Sequence, residues 1–315
     1  MPPQQPKSMN LAEWALLVLL SVLWGSAFFF VGVAIIEMPP LTIVLVRVGL
    51  AALILLPLII YLGYSLPSGL SAWIPFLIMG ILNNVLPFSF LNTGQTMVSV
   101  GLASIINAMT PLFTALVMAY FKEERLTAYR MTGVLLGVLG VVQIALPGLA
   151  HGSMRIVGIG LCMAGALSYA FAALWGRRYL MGHPPLLNAT CQLLSSTVIM
   201  LVVASFLERP WELAFPSIQT WLALVTLAVF GTALAYLVFF RLLSSAGGSN
   251  VMLVTLLIPV SALMLGSLFL KEPLLIQELI GAAIIGLGLL FIDGRLPRKI
   301  GFRASSLYKH LTRSS

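Results

Sequence analysis

Long apolar runs alternate with short polar breaks along nearly the whole chain. Each run holds roughly the 20 residues that a helix needs to cross the hydrocarbon core of a bilayer. Helices are predicted rather than strands, because an unclosed strand would leave backbone groups unpaired in lipid. The pattern predicts an all-α integral membrane protein with ten spans, at residues 11–34, 41–62, 73–93, 99–121, 129–147, 155–176, 186–207, 219–242, 249–270 and 275–293.

The composition is typical of a surface whose solvent is lipid. Of the 315 residues, 60% are hydrophobic and 8% are charged, whereas a soluble domain carries about 25% charged residues. The basic residues lie mostly after Asp293 or at the ends of the apolar runs, and they form no basic face interleaved with aromatic side chains. The lipid bilayer is therefore a predicted partner, and nucleic acid is not.

The distribution of Lys and Arg predicts the orientation in the membrane. With ten spans and the amino terminus inside, Arg155, Arg209 and Lys271 lie outside and Arg47 lies within a span. The other thirteen of the 17 basic residues then lie inside. Because basic residues collect on the cytoplasmic side, the tails at residues 1–10 and 294–315 are predicted to be cytoplasmic, in the cell (inner) membrane.

The second half of the chain repeats the first. Seven residues recur 148 positions later: Trp73, Pro111, Phe121, Glu124, Leu126, Gly133 and Gly140 correspond to Trp221, Pro259, Phe269, Glu272, Leu274, Gly281 and Gly288. Nearer the start the shift is 145, which pairs Trp24 with Tyr169 and Arg47 with Gln192. Because each repeat, 11–147 and 155–293, has five spans, the second must enter from the opposite side. Two inverted repeats of this kind are typical of transporters.

These residues resemble the drug/metabolite transporter superfamily, in particular its ten-helix EamA type, over about residues 10–293. The motifs are Leu23-Trp24-Gly25, Pro39-Pro40 with Arg47, Pro111 with Glu124 and Gly133, Tyr169-Ala170, Pro259, Lys271-Glu272 and Gly281. Two positions depart from the family pattern: Tyr169 stands where the second half often has Trp, and Gln192 stands opposite Arg47. The resemblance implies export or exchange of small metabolites, often amino acids, through a cavity built from helices 1, 3, 4, 6, 8 and 9.

Arg47 lies about six residues into the second span, which contains no acidic residue. A charge at this depth is costly unless it faces a cavity, a partner or the interface. One interpretation is that Arg47 contacts an anionic group of a substrate, such as a carboxylate, or belongs to a gate. The alternative is that it reaches the outer interface, or binds helix-end carbonyls and organises the fold.

Polar side chains concentrate in the third and fourth spans. Asn83 and Asn84 lie shortly before Pro87, and Asn107 lies before Pro111. A proline frees a backbone carbonyl and permits a bend, so polar side chains beside it are candidates for a wet cavity. Each asparagine either lines such a cavity or only hydrogen-bonds to a neighbouring helix.

Four aromatic residues, Trp24, Tyr169, Trp175 and Tyr236, also lie within spans. Trp24 and Tyr169 are repeat equivalents, so they could face each other across a two-fold axis as the walls of a pocket. Core packing is the alternative. The four aromatics, Arg47 and the three asparagines are together the predicted substrate-binding residues.

Two further sets are predicted to be structural. Glu124 and Glu272 close equivalent spans beside basic residues, and we interpret them as interfacial anchors or as caps for the next helix. Glycines follow one strip of the fifth and tenth spans, at Gly133, Gly137, Gly140, Gly281, Gly286 and Gly288. These spans are predicted to dock the two halves, and they could also join two subunits, so either a monomer or a homodimer is expected.

A membrane-embedded enzyme is the main rival class. Asp293 is the sole aspartate, and the three histidines lie in loops or in the tail. The spans therefore lack paired aspartates, a serine–histidine dyad and a histidine site for zinc. With no glycine-rich phosphate-binding loop either, the sequence predicts no enzyme activity, no ATP-driven transport, no cofactor and no metal.

The sequence predicts a secondary transporter that exports small metabolites by alternating access. One arginine suits a single anionic group, so amino acids and related compounds come first. A multidrug or cationic-compound efflux carrier is one alternative, and a membrane scaffold without transport is another. Because Arg47 stays charged and no other ionisable group is clearly mid-membrane, facilitated transport or exchange is expected, with proton antiport left open.

Overall fold

The structure, a computed structural model, describes residues 9–151 and 154–293. Within these ranges the chain is helical and has no strand, and ten helical segments, which we call spans, coincide with the predicted apolar runs. The spans are α1 (Leu11–Ala34), α2 (Pro40–Tyr61), α3 (Leu70–Gln95), α4 (Val100–Tyr120), α5 (Ala128–His151), α6 (Met154–Tyr179), α7 (Pro185–Leu207), α8 (Ile218–Ala246), α9 (Gly248–Val251 and Val254–Phe269) and α10 (Ile276–Asp293). The predicted basic tail and most of the amino-terminal tail lie outside the described residues.

The spans have the length and surface of a multi-pass membrane protein. In the described part of the chain, eight helices are long and apolar enough to cross a bilayer. The apolar helices Val254–Phe269 and Ile276–Ile292 are shorter. Large apolar side chains such as Leu53, Val198 and Leu222 are exposed on the outside of the bundle. That surface is stable only against lipid.

Two spans contain a π-helical segment that the sequence pattern does not predict. One segment runs over Ile81–Val85 in α3, and the other runs over Val229–Leu234 in α8. Their first residues are 148 positions apart, which is the spacing of the sequence repeat. A π segment widens the turn and changes which backbone and side-chain groups face inward, and such segments are frequent at functional sites.

Pro87 explains the segment in α3. In π register, residue 87 would donate its N–H to the carbonyl of Leu82, but proline has no N–H to donate. The Ser168 hydroxyl on α6 donates to that carbonyl instead, at 2.7 Å. The widened turn is therefore completed by a neighbouring helix.

A proline also interrupts α4, between Asn107 and Thr110. Pro111 cannot donate to the carbonyl of Asn107, one helical turn earlier. The Thr110 hydroxyl donates to that carbonyl at 2.7 Å. The break occurs at mid-span, and both Asn107 and Thr110 face the interior of the bundle.

Helices α5 and α10 approach so closely that only glycine fits at their contacts. A Cβ added to Gly140 would lie 2.8 Å from the carbonyl oxygen of Gly281, and the reverse distance is also 2.8 Å. Gly133 and Gly288 meet in the same way, at 2.5 and 2.6 Å. Glycine therefore lets the two backbones make direct van der Waals contact.

Three carboxylates join the two halves of the chain on one face of the bundle. Glu37 accepts hydrogen bonds from the Ser217 backbone and the Thr220 hydroxyl, both at 2.8 Å, at the start of α8. These bonds lower the pKa of Glu37 below its usual value, the bond from the Ser217 backbone contributing most. The other two carboxylates, Glu208 and Glu272, act in the same way on α2 and α4.

Glu208 and Glu272 each bind the exposed N–H groups at a helix start. Glu208 accepts from the backbone N–H of Leu41 at 3.0 Å and of Thr42 at 2.6 Å. Glu272 accepts from the backbone N–H of Val100 at 2.9 Å. It thus caps α4, and not the next helix as its position in the sequence suggests. We call this face, formed by the loops after α1, α3, α7 and α9, the capped face.

The opposite face carries the basic loops, and we call it the basic face. Glu124, the repeat equivalent of Glu272, lies here and caps no helix start among the described residues. Its carboxylate instead accepts from Arg130 on α5 and, at 2.9 Å, from Arg177 on α6. Partial burial alone would raise the pKa of Glu124, but the two arginines hold it below its usual value. Glu124 therefore anchors α4 to α5 and α6.

We expect Gly140→Leu to lower the thermal unfolding midpoint of the purified protein, because a side chain there must push α5 away from Gly281. Overpacking of this kind costs about 1–3 kcal/mol. Gly160→Leu is the matched control, since an added Cβ meets nothing within 4 Å at this position on α6. Equal midpoints for the two variants would contradict the close contact of α5 and α10.

Candidate functional site

A cavity of about 380 Å³ lies at the centre of the bundle, between the two halves of the chain. Residues of α1, α2, α3, α4, α6, α7, α8 and α9 line it, and the described residues of α5 and α10 contribute none. The expected helices 1, 3, 4, 6, 8 and 9 are therefore joined by α2 and α7. Each of these adds a single residue, Arg47 from α2 and Gln192 from α7.

Six of the eight predicted binding residues line this cavity, namely Trp24, Arg47, Asn83, Asn107, Tyr169 and Tyr236. Asn84 and Trp175 do not. Asn84 is fully buried behind the wall, where its amide donates to Ser196 on α7 at 3.0 Å. Trp175 lies nearer the basic face, and its indole donates to the carbonyl of Pro75 at 2.9 Å. Both residues bond to neighbouring helices.

Arg47 is buried in the cavity wall and is not at the outer interface. Its Nε donates to the Thr232 hydroxyl at 2.9 Å, and one terminal nitrogen lies 3.5 Å from the carbonyl oxygen of Gly231. The Phe88 ring centroid lies 3.7 Å from the guanidinium carbon. Among the described residues, no carboxylate lies within ion-pair distance of Arg47. The cavity wall therefore carries a positive charge that is hydrogen-bonded but not neutralised.

Thr232 can bind Arg47 because of the π segment of α8. Its hydroxyl donates to the carbonyl of Leu227, five residues earlier, at 3.1 Å, and accepts from Arg47 at the same time. Gly231 lies in the same segment, without a side chain to block its carbonyl. The distorted turn of α8 thus supplies two oxygens that hold the guanidinium.

A second hydrogen-bond network lies around Asn83 and Gln192. The amide of Asn83 donates to Gln192 Oε1 at 3.0 Å and to the Tyr236 hydroxyl at 3.2 Å. The Tyr236 hydroxyl donates in turn to Asn84 Oδ1 at 3.1 Å. Asn83 and Asn84 both belong to the π segment of α3, so this network joins α3 to α7 and α8.

Two buried oxygens of cavity-lining residues have no hydrogen-bond partner among the described residues. They are Gln95 Oε1 and Asn107 Oδ1. An unsatisfied buried acceptor costs about 1–3 kcal/mol, so its presence in a binding cavity favours a ligand that donates hydrogen bonds. Gln95 is not among the predicted binding residues. It belongs to the polar cluster of the third and fourth spans, and that cluster is the sequence signal that could have indicated it.

Aromatic rings form much of the remaining wall. Trp24 lies 5.5 Å from Phe239 between ring centroids, and Tyr236 stacks on Phe240 at 6.0 Å. Tyr169 lines the cavity too, so the repeat equivalents Trp24 and Tyr169 both belong to its lining. The lining also contains four phenylalanines that were not predicted, because nothing in an apolar run separates a cavity phenylalanine from a lipid-facing one: Phe28, Phe88, Phe239 and Phe240.

The cavity is closed at the capped face and open towards the basic face. Near the capped face its lining is buried, with Val31 only 2% exposed and Asn92 only 1% exposed. Near the basic face Ala173 is exposed, and Phe239 and Thr255 are partly exposed. The three carboxylate caps lie on the closed side.

Comparison with known proteins assigns the chain to a family. A family model described as the EamA-like transporter family matches residues 12–146 and again residues 156–293. The chain belongs to the EamA-like transporter family. Two separate matches to one family model agree with the duplicated sequence pattern, and the resemblance seen in the motifs is confirmed.

Relatives of this EamA-like transporter are also named as transporters. An uncharacterized transporter of Archaeoglobus fulgidus is 27% identical over 286 residues, which cover 89% of this chain and 98% of the relative. The inner membrane transporter YedA of Escherichia coli, also uncharacterized, is 28% identical over 261 residues, 79% of each chain. A solved crystal structure with 18% identity has a TM-score of 0.64 and covers 93% of this chain and 99% of its own, which shows the fold alone.

Proposed function

We propose that the protein is a secondary transporter that exports small metabolites, amino acids or related compounds first, by alternating access. The observation that carries this proposal is the central cavity with its unneutralised arginine and two unpartnered amide oxygens. Family membership supports transport, and the chemistry of the lining supports the substrate class.

The lining offers a partner for each part of an amino acid. A carboxylate can bind the free donors of Arg47 in a charge-assisted hydrogen bond. An ammonium group donates hydrogen bonds, which Gln95 Oε1 and Asn107 Oδ1 can accept after their side chains rotate, because both oxygens are buried in the lining. The rings of Trp24 and Tyr169 offer a surface for an apolar or aromatic side chain. The sole charge in the described lining is positive, which disfavours a cationic drug.

Two pairs of matched contacts support an inverted arrangement of the halves. The contact of Gly133 with Gly288 becomes, after a shift of 148 positions, the contact of Gly281 with Gly140. The π segments of α3 and α8 are related by the same shift. A two-fold axis in the membrane plane between α5 and α10 would generate both pairs.

The conformation fits one end of an alternating-access cycle. Glu37, Glu208 and Glu272 hold the halves together at the capped face, while the cavity remains open towards the basic face. The positive-inside rule places the basic face in the cytoplasm, so we infer an inward-open state that loads substrate from the cell. Breaking the carboxylate caps would then open the capped face.

Exchange or facilitated transport is the proposed mode. Within the described residues, the cavity lining contains no carboxylate or histidine, so the substrate site itself offers no group that releases a proton near neutral pH. A proton antiporter usually places such a group within the membrane.

Counterflow in liposomes tests the proposed function. The purified protein, without an ion gradient, is expected to exchange labelled amino acids but not labelled sugars or a quaternary ammonium drug. Arg47→Leu should lower exchange about tenfold or more, because it removes a charge-assisted hydrogen bond worth about 1.5–3 kcal/mol. Arg241→Leu is the matched control, since Arg241 is exposed near the end of α8 and outside the cavity lining.

Each possible outcome of this assay is informative. Exchange of the drug alone would replace the proposal with cationic efflux. A folded protein that exchanges none of the compounds would contradict the proposal for amino acids. Loss of exchange in both arginine variants would show that Arg47 has no special role.

The capped face should open when its carboxylate contacts are removed. We expect the double variant Glu208→Ala and Glu272→Ala to shift distances between spin labels at Thr96 and Phe215 towards longer values. The physical reason is the loss of hydrogen bonds from a charged group to the starts of α2 and α4, each worth about 1.5–3 kcal/mol. Pulsed electron paramagnetic resonance in liposomes measures the distances.

Glu212→Ala is the control for that experiment. Glu212 lies on the same face, but its ion pair at 3.3 Å is with Arg209, three residues away, and spans no gap between the halves. The control should keep the distances of the unsubstituted protein. Unchanged distances in the double variant would show that the caps do not hold the face closed.

A further inference from the structure

Arg47 and Gln192 occupy matching places in the cavity. They are the single lining residues that α2 and α7 contribute, and they are related by the repeat shift of 145 positions. Both are buried, with 8% of Arg47 and 3% of Gln192 exposed. One half of the chain therefore presents a guanidinium where the other half presents a neutral amide.

The surroundings of these two residues match as well. Arg47 is held by the Thr232 hydroxyl and the Phe88 ring. A shift of 148 positions relates Thr232 to Asn84 and Phe88 to Tyr236. Those two equivalents are members of the network that surrounds Gln192.

The surroundings of Gln192 contain the kinds of group that stabilise a guanidinium. The Tyr236 hydroxyl and Asn84 Oδ1 are oxygen acceptors, and the Tyr236 ring corresponds to the ring beside Arg47. A rotated Asn83 amide would present its own oxygen to a cation. The second half thus holds an acceptor and an aromatic ring around a residue that carries no charge.

The side chain of Gln192 is also free to meet a ligand. Its Oε1 accepts from Asn83, but its Nε2 donates no hydrogen bond to any of the described residues. Because Gln192 lines the cavity, this amino group can donate to a neutral or weakly anionic group of a substrate.

We propose that Gln192 is a specificity-determining residue. It is the uncharged repeat equivalent of Arg47, and the two residues occupy equivalent polar positions in the cavity. Its amide limits the described lining to one positive charge, and this selects substrates with one carboxylate over those with two. The proposal rests on the proposed transport function. It goes further by placing the choice between monocarboxylates and dicarboxylates at a single position.

Moving the positive charge from position 47 to position 192 tests the proposal. Counterflow is measured with labelled leucine, phenylalanine and glutamate for Arg47→Gln, for the double variant R47Q/Q192R and for R47Q/Q143R. Arg47→Gln is expected to lose at least about tenfold of the leucine or phenylalanine exchange. The double variant R47Q/Q192R should recover to within about threefold of the unsubstituted protein.

R47Q/Q143R is the matched control, because Gln143 lies on α5, which contributes no described residue to the lining. It should stay as inactive as Arg47→Gln. A folded R47Q/Q192R protein without recovered exchange would overturn the proposal. Failure of R47Q/Q192R to fold would also overturn the proposal, because two equivalent positions must tolerate the exchange of their side chains.

The single variant Gln192→Arg gives a gain of function that misfolding cannot imitate. With two guanidinium groups, it should exchange glutamate at least about tenfold faster than the unsubstituted protein. An unchanged preference for leucine or phenylalanine over glutamate would count against Gln192 as the selecting residue.

A binding measurement separates this proposal from the transport function. Succinate should raise the thermal midpoint of purified Gln192→Arg by about 2 °C or more, and it should leave the unsubstituted protein unchanged. Suppose that the unsubstituted protein exchanges none of the amino acids but succinate stabilises Gln192→Arg. The transport proposal then fails, whereas the proposal that position 192 selects by charge is supported. If the unsubstituted protein exchanges amino acids, but R47Q/Q192R does not recover exchange and succinate does not stabilise Gln192→Arg, only the proposal for Gln192 fails.

Discussion

A buried guanidinium that has no counter-ion among the described residues is the constraint on which this structure depends. Arginine remains charged at any physiological pH, and its burial in a membrane bundle costs several kcal/mol unless strong partners surround it. Arg47 finds a hydroxyl, a carbonyl and an aromatic face, and two of these come from the π segment of α8. The distortion of α8 and the cavity beside it therefore belong to one arrangement that keeps the charge in place.

Duplication explains how one chain builds such a cavity from two halves. Equivalent helices bring equivalent residues to the centre, and glycines on α5 and α10 let the halves meet without entering the cavity. The halves differ where function would require it. Arg47 in the first half corresponds to Gln192 in the second, and Glu272 caps a helix while its equivalent Glu124 binds arginines instead. These differences give the described cavity lining one charge and leave the carboxylate caps on one face.

The all-helical fold and the positions of its apolar helices could be predicted, because bilayer thickness dictates the length of each apolar run. The rotation of each helix could not. Asn83 and Asn84 are neighbours, yet only Asn83 lines the cavity, because successive residues of a helix point in different directions and Asn84 faces Ser196. Pro87 signals a break, but the acceptor it frees is satisfied by Ser168, 86 residues away. Predicting such a partner requires the tertiary structure. The equivalence of Arg47 and Gln192 was visible in the sequence, whereas their shared cavity was not.

Accessibility measured from each side of the membrane tests the central claim most directly. Single cysteines are introduced by Ala173→Cys and Val31→Cys in a protein whose buried Cys162 and Cys191 are replaced by serine. A membrane-impermeant thiol reagent is then applied to each side in turn. The cavity described here predicts that position 173 reacts only from the side of Arg177 and Arg178, and that position 31 is protected from both. Reaction of position 31 from the capped side, with position 173 protected, would contradict a cavity that opens to the basic face.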